Sequence, residues 1–305
     1  MIQYYYREMQ NMLDQKIYTL LKVAETGNFT KAGKELNLTQ PAISQHIRLL
    51  EKQLGVKLFQ RVGTRIMVTR EGENVVDTAK TMLSLYQNLQ QELKNEASGL
   101  TSMTIGITHT VESNRISEVF AKYASMKRGV SIKLITSTKE KLRSGIKNME
   151  LDFAIIDGRI NDEILQSMQL DMDSLLLVSA PGHHLSRQSV VTINDLKPEP
   201  MILRLPNSGT ADLLNAALES RNISLDEFNV ILEMDNIATI KDLVRRGYGV
   251  SILPKSACQS EIRSRKLAAI PIENLSMIRE INIYYLKGFK YLDTLSELVR
   301  IYSEM

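Results

Sequence analysis

The chain has 305 residues, 43 % hydrophobic and 24 % charged, with a net charge of +3. That is the composition of ordinary folded domains, two or three at this length, and it is enough to bury a substantial core. A single cysteine, Cys258, excludes an internal disulfide and a cysteine-based metal cluster, and the longest apolar runs, such as Ser174–Ala180, are strand length.

Residues 1–11, MIQYYYREMQN, are polar and aromatic without the apolar core of a secretion signal. They read as a frayed N-terminal extension, and the chain as cytoplasmic. Asp14 is placed to cap a first helix whose Leu13, Ile17, Leu20, Leu21 and Ala24 share a face and which ends at Gly27. Thr30 is the expected cap of a second helix carrying Ala32, Gly33 and Leu36, and Asn37-Leu38-Thr39 is long enough only for a turn. Thr39 then caps a third helix with Pro41 in its first turn. There Ile43, Ile47, Leu50 and Leu54 form an apolar stripe, while Gln40, Ser44, Gln45, Arg48 and Lys52 form a face without an acid. A helix-turn-helix of this kind can enter a major groove, its amides reading base edges and its cations meeting phosphate. Charge supports that reading: residues 30–70 hold eight Lys/Arg against two acids, a net charge of +6. Val56 to Val68 alternates around Gly63 as a two-stranded wing should, with Arg61 and Arg65 placed for backbone phosphate. The residues expected on DNA are Thr39, Gln40, Pro41, Ser44, Gln45, His46, Arg48, Arg61 and Arg65.

From Thr69 a long helix is expected, with Glu71 and Glu73 in its first turn, where the helix dipole favours acids. Val75, Ala79, Met82, Tyr86, Leu89 and Leu93 follow a heptad seam, which points to a homodimer and an inverted-repeat operator. After Ala97-Ser98-Gly99 the pattern changes to strands alternating with helices: Met103–Thr108, Val130–Thr136 and Leu151–Ile156 read as strands, with a second such unit over about 175–269 and a return at Ile281–Tyr285. The fold class is α/β, with two lobes and a small-molecule cleft between them.

The stretch FTKAGKELNLTQPAISQHIRLLEKQLGVKLFQR resembles the winged helix-turn-helix of LysR-type transcriptional regulators, through Leu58, Phe59, Arg61 and the Val68-Thr69 pair. Two positions depart from the family pattern: Gly33 replaces a usual alanine, which should weaken its helix, and Gln45-His46 replaces a common Arg or Lys. Gly106–Thr110, Leu151–Gly158, Ile202–Thr210 and Asn236–Pro254 resemble the same family's effector-binding half, a two-lobed periplasmic-binding-protein-like domain. The Arg204…Ser208-Gly209-Thr210 phrase is most similar to the branch with regulators of carbon fixation and sulfur assimilation. The resemblance implies an extension over 1–11, a DNA-binding domain over 12–69, a linker helix over 70–98 and an effector domain over 99–305. Lobe 1 would take about 100–160 and 270–305, and lobe 2 about 161–269. It further implies dimers joined into tetramers, with RNA polymerase as a further candidate partner.

Carried over from the family, the effector cleft would comprise Thr108, His109, Thr110, Ser137, Thr138, Asp157, Asn207, Ser208, Gly209 and Thr210, floored by Leu253 and Pro254. Hydroxyls, amides and helix N-termini suit a small anionic metabolite. Arg204 is expected to brace Asp212 or Glu233 rather than to meet the ligand. No Gly-rich phosphate loop, HExxH, GxSxG or Cys/His triplet is present, so no catalytic residue and no cofactor is expected. His109 near Asp157 could mimic an acid–base pair, but a donor to an anion is the simpler role. His183-His184 reads as a polar turn, since two adjacent histidines without a third ligand make a poor metal site, and Cys258 reads as a buried apolar residue. The alternatives are a transport-type solute receptor, which the basic N-terminal module argues against, and a two-lobed transferase or lyase, which lacks a catalytic constellation.

Overall fold

The computed structural model describes residues 12–63, 65–98, 101–113, 115–206 and 208–305. The expected N-terminal extension and Asn207 lie outside them. The chain divides into two compact units, one of 1–99 with 148–150 and one of 100–147 with 151–305.

In the first unit, α1 (Gln15–Thr26) starts at Asp14, whose carboxylate accepts from the Lys16 amide, and stops at Gly27 with φ 59°. The cap of α2 (Phe29–Leu36) is Asn28, not Thr30: the Asn28 side chain accepts from the Lys31 amide at 3.0 Å, and Thr30 already lies in the first turn. Helix α3 (Gln40–Leu54) is capped by Thr39, with Pro41 where no backbone N–H is needed, and ends at Gly55 with φ 71°. Leu20, Val23, Ala32, Ile43, Ile47, Leu50 and Leu58 form the core of the three helices, while Leu54 is half exposed, so the buried stripe of α3 ends at Leu50. Gly33 has a packing reason to be there: a Cβ on it would stand 2.7 Å from the Leu38 carbonyl oxygen. The wing is an antiparallel pair, β1 (Phe59–Val62) and β2 (Arg65–Val68), turning at Gly63 with φ 61°. Glu51 ties α3 to the wing, accepting from the Leu58 amide at 3.0 Å and from Lys57 at 2.7 Å. Although burial raises its pKa, these donors hold the Glu51 carboxyl below the ordinary glutamate value.

Helix α4 (Arg70–Ser98) follows. Its heptad seam is divided in use, which corrects the sequence reading. Val75 and Ala79 belong to the core of this unit, and Tyr86 is buried. The apolar residues left exposed are Met82, Leu85, Leu89 and Leu93, so Leu85 replaces Tyr86 on the free face.

The second unit opens with β3 (Thr101–Ile107), α5 (His109–Glu112), α6 (Ile116–Met126), β4 (Val130–Thr136), α7 (Lys139–Lys147) and β5 (Phe153–Asp157). Strand β3 lies between β4 and β5, parallel to both, as strand–helix alternation requires. Next come β6 (Leu165–Ser179), α8 (Ile193–Leu196), β7 (Met201–Arg204), α9 (Gly209–Glu219), β8 (Val230–Met234), α10 (Ile237–Arg245), β9 (Ser251–Pro254), α11 (Lys255–Arg263), β10 (Ala268–Ile270), β11 (Ile278–Leu286) and α12 (Leu292–Glu304). Strand β11 covers the expected return at Ile281–Tyr285 and pairs antiparallel with β5. The crossing between lobes lies inside β6. Its first part, Leu165 to Ser174, pairs with β11, and its last residues pair with β9 and β10. Two main cores result: one around Ile105, Phe120, Phe153, Ile283 and Leu298, the other around Leu177, Met201, Leu214, Val250 and Ile252.

Candidate nucleic-acid interface and effector cleft

Thr39, Gln40, Pro41, Gln45, Arg48 and Lys52 are all exposed along α3, with Ser44 half-buried beside Gln40, whose amide donates to the Ser44 hydroxyl at 2.8 Å. Arg61 and Arg65 project from the wing, and Arg61 Nε reaches the Gly63 carbonyl at 3.2 Å. His46 departs from expectation. Its Nδ1 lies 2.9 Å from the Thr19 hydroxyl, so it is half-buried against α1 and does not share the outward face. One step of a helix turns a residue by about 100°, and that separates His46 from its neighbour Gln45.

In the second unit, the ends of β3, β5 and β7 open on a cleft of about 480 Å³ lined by Thr108, His109, Thr110, Ser137, Thr138, Asp157, Ser208 and Gly209 among others. These eight were expected from the sequence. Thr210 instead borders a small adjoining cavity of about 30 Å³ with a buried hydroxyl that has no hydrogen-bond partner among the described residues. Leu253 and Pro254 do not floor the cleft: both are buried in β9, paired with Leu176 and Leu175, and Leu253 packs in the apolar cluster under α10 and α11. His109 has Glu112 as its acidic neighbour, 3.8 Å away, and Asp157 is otherwise engaged.

In the charged centre of the cleft, Asp157 was expected from sequence, whereas Arg279 and Asp235 were missed. Asp157 closes β5, accepts from the Thr108 hydroxyl, and pairs with Arg279 Nη1 at 2.5 Å. Both side chains of that ion pair are almost fully buried. Arg204, buried at the end of β7, meets Asp235 at 2.7 Å rather than Asp212 or Glu233. Burial lowers the Arg204 pKa from its ordinary value, with Asp235 and Asp157 opposing the shift. Among the described residues the two guanidinium groups keep donors to spare: Nε and Nη1 of Arg204, and Nε and Nη2 of Arg279, make no hydrogen bond, with Asp173 4.0 Å from Arg279 Nη2. Buried donors of this kind are costly unless something accepts from them. The first turn of α9 presses against the same centre, where a Cβ on Gly209 would stand 2.7 Å from Asp157 and 3.4 Å from Arg279. Ser208 caps α9 by accepting from the Ala211 amide at 3.1 Å. An arginine at a buried position of the largely buried strand β11, Ile278 to Leu286, was the available signal for Arg279, because a charge in a buried strand needs a partner.

Cys258 is buried, and its thiol is pushed up to about 12 by loss of solvent, which leaves little thiolate for redox chemistry. Among the described residues no helix is long and apolar enough to cross a membrane.

A basic winged helix-turn-helix followed by a two-lobed ligand cleft defines a ligand-responsive, DNA-binding transcriptional regulator. The chain belongs to the LysR family: the model of the bacterial regulatory helix-turn-helix protein, lysR family, matches residues 15–73, and that of the LysR substrate binding domain matches 99–303. It is 26 % identical over 303 residues to a probable RuBisCO transcriptional regulator of Phaeodactylum tricornutum, covering 95 % of this chain and 97 % of the other. It is 25 % identical to the HTH-type transcriptional regulator CysL of Bacillus subtilis, covering 87 % and 88 % of the two chains. The crystal structure of full-length CbnR complexed with target DNA shares the fold with a TM-score of 0.67 at 19 % identity, covering 96 % of this chain and 99 % of that one.

Proposed function

We propose that this regulator reads an inverted-repeat operator as a homodimer and is switched by a small anion held between its effector lobes. The observation that carries the effector class is the pair of buried guanidiniums, Arg204 and Arg279, with four N–H-bearing nitrogens, Nε and Nη1 of the first and Nε and Nη2 of the second, that meet no hydrogen-bond acceptor among the described residues. Their acids, Asp235 and Asp157, use one edge of each. Carboxylate, sulfate or phosphate oxygens would complete the rest, with hydroxyls from Ser137 and Ser208 around them. The exposed apolar stripe of α4, Met82, Leu85, Leu89 and Leu93, supports pairing of two chains. A relative named as a probable RuBisCO transcriptional regulator fits a metabolite-sensing role tied to carbon fixation. In this reading the protein acts in the cytoplasm by binding, without turnover: the effector shifts the population of lobe arrangements and thereby the presentation of the two reading helices. Calorimetric titration of the full-length protein with sulfate, phosphate and small dicarboxylates tests the effector class. Saturable binding of an anion, lost in Arg279→Met, is the expected result. Binding of neutral or cationic metabolites alone overturns it.

A further inference from the structure

We propose that His183, His184 and Glu199 form a site for one divalent transition-metal ion of the zinc type. The sequence offered two adjacent histidines and no third ligand, and the fold supplies one. The histidines follow β6 through Ala180-Pro181-Gly182, and Glu199 stands just ahead of β7. Glu199 is nearly buried, and its two oxygens face the two imidazoles: Oε2 lies 3.2 Å from His183 Nε2, and Oε1 3.1 Å from His184 Nε2. The rings stack with centroids 4.5 Å apart, and one ligand atom from each residue lies within 4.8 Å of the others. A tetrahedral ion with bonds of about 2.0–2.1 Å spaces its ligand atoms by roughly 3.3 Å. The present N···O separations are close to that edge length.

Both loops are held by their own backbone. The His183 amide donates to the Ala180 carbonyl at 3.0 Å, the Glu199 amide to Leu196 at 3.0 Å, and the Pro200 carbonyl accepts from Val250 at 2.8 Å. The ligands are therefore positioned before an ion arrives, which lowers the ordering penalty of binding. Two imidazoles and a carboxylate select borderline ions such as Zn²⁺ over Mg²⁺ or Ca²⁺, which prefer all-oxygen sites. Three protein ligands leave the remaining position to water. One adjustment is required. His183 Nδ1 accepts from the Leu185 amide at 3.3 Å, whereas ligation through Nε2 puts the ring proton on Nδ1, so that long bond is exchanged for a metal bond. Without metal, the same three groups remain joined by the two His–Glu contacts. An ion there fixes the start of β7, the strand that ends in Arg204.

The test uses full-length protein stripped with a chelator, titrated with Zn²⁺ against a chromogenic competitor and with Co²⁺ by visible absorption. The expected result is one equivalent per chain, with the ligand-field bands of four-coordinate Co²⁺. His184→Gln, at an exposed position, should keep the native circular dichroism yet weaken Zn²⁺ binding by about tenfold or more. Glu199→Gln should do the same, and if it misfolds His184→Gln decides alone. Absence of stoichiometric binding at submillimolar metal, or equal affinity in wild type and His184→Gln, overturns the proposal. The first outcome leaves a His–Glu contact cluster without a metal role, and the second places the ion on other histidines.

Discussion

The two units solve the same problem, placing polar groups on a surface, by opposite means. In the DNA-reading unit the exposed residues expected on DNA lie on two short local elements whose ends are set by nearby residues: Thr39 and Gly55 for α3, Gly63 for the wing. In the effector unit the working centre is gathered from distant parts of the chain, Thr108, Asp157, Gly209 and Arg279, and held by buried ion pairs. The first arrangement tolerates single exposed changes and alters only recognition. The second concentrates stability and ligand binding in the same side chains, so one substitution disturbs both.

The largest effect should come from Arg279→Met, which leaves Asp157 buried without its cation. A loss of about 3–5 kcal/mol is expected from such a half-deleted pair, read as an earlier urea transition of the effector unit. Adding Asp157→Asn should recover much of it. If the reading unit unfolds at lower urea to the same degree, the contrast between the units fails. The matching test on the reading unit is Gly72→Ala, whose Cβ would stand 2.2 Å from the Leu58 carbonyl oxygen, a backbone atom that has little room to give. Overpacking of this kind costs about 1–3 kcal/mol and should lower that unit's unfolding midpoint while leaving effector titrations alone.

Recognition should then divide by residue. Gln40→Ala is expected to relax preference at one base by about 1–3 kcal/mol, measured against a set of operator variants. Arg61→Ala should weaken all duplexes alike and reduce the salt slope by roughly one. Equal loss of discrimination from both would show that reading helix and wing are not distinct in role. The smallest effect belongs to Glu51. Its pKa is below the ordinary 4.5, so its tie between α3 and the wing is fully present above that pH and is lost as pH falls through the depressed value. Glu51→Gln should cost on the order of 1 kcal/mol at neutral pH and remove that part of the acid sensitivity, as followed by unfolding at pH 7 and pH 4.

The same contrast explains what could be read in advance. Asp14, Thr39, Pro41 and Gly27 announce helix ends through local chemistry, and the stripe Ile43, Ile47, Leu50 reports its own burial. His46 was misplaced because helical phase alone does not reveal that Thr19 waits opposite to bond it. Val75 and Ala79 fit a heptad as well as they fit their own core, and only the packed unit shows which use they serve. In the cleft, the threonines and serines at strand ends were legible because strand–helix junctions put them there. Arg279 was not, because its partner Asp157 lies on another strand far away in sequence. Leu253 and Pro254 came from family pattern without a test of burial, and β9 buries them.

Strand β6 serves both lobes without a break, its ladder passing from β11 to β9 and β10. A clamshell on flexible cords could swing wide, but lobes threaded on one stiff ribbon are left mainly with torsion. A bound effector would accordingly be felt as a small twist of one half against the other along that shared strand rather than as a wide opening.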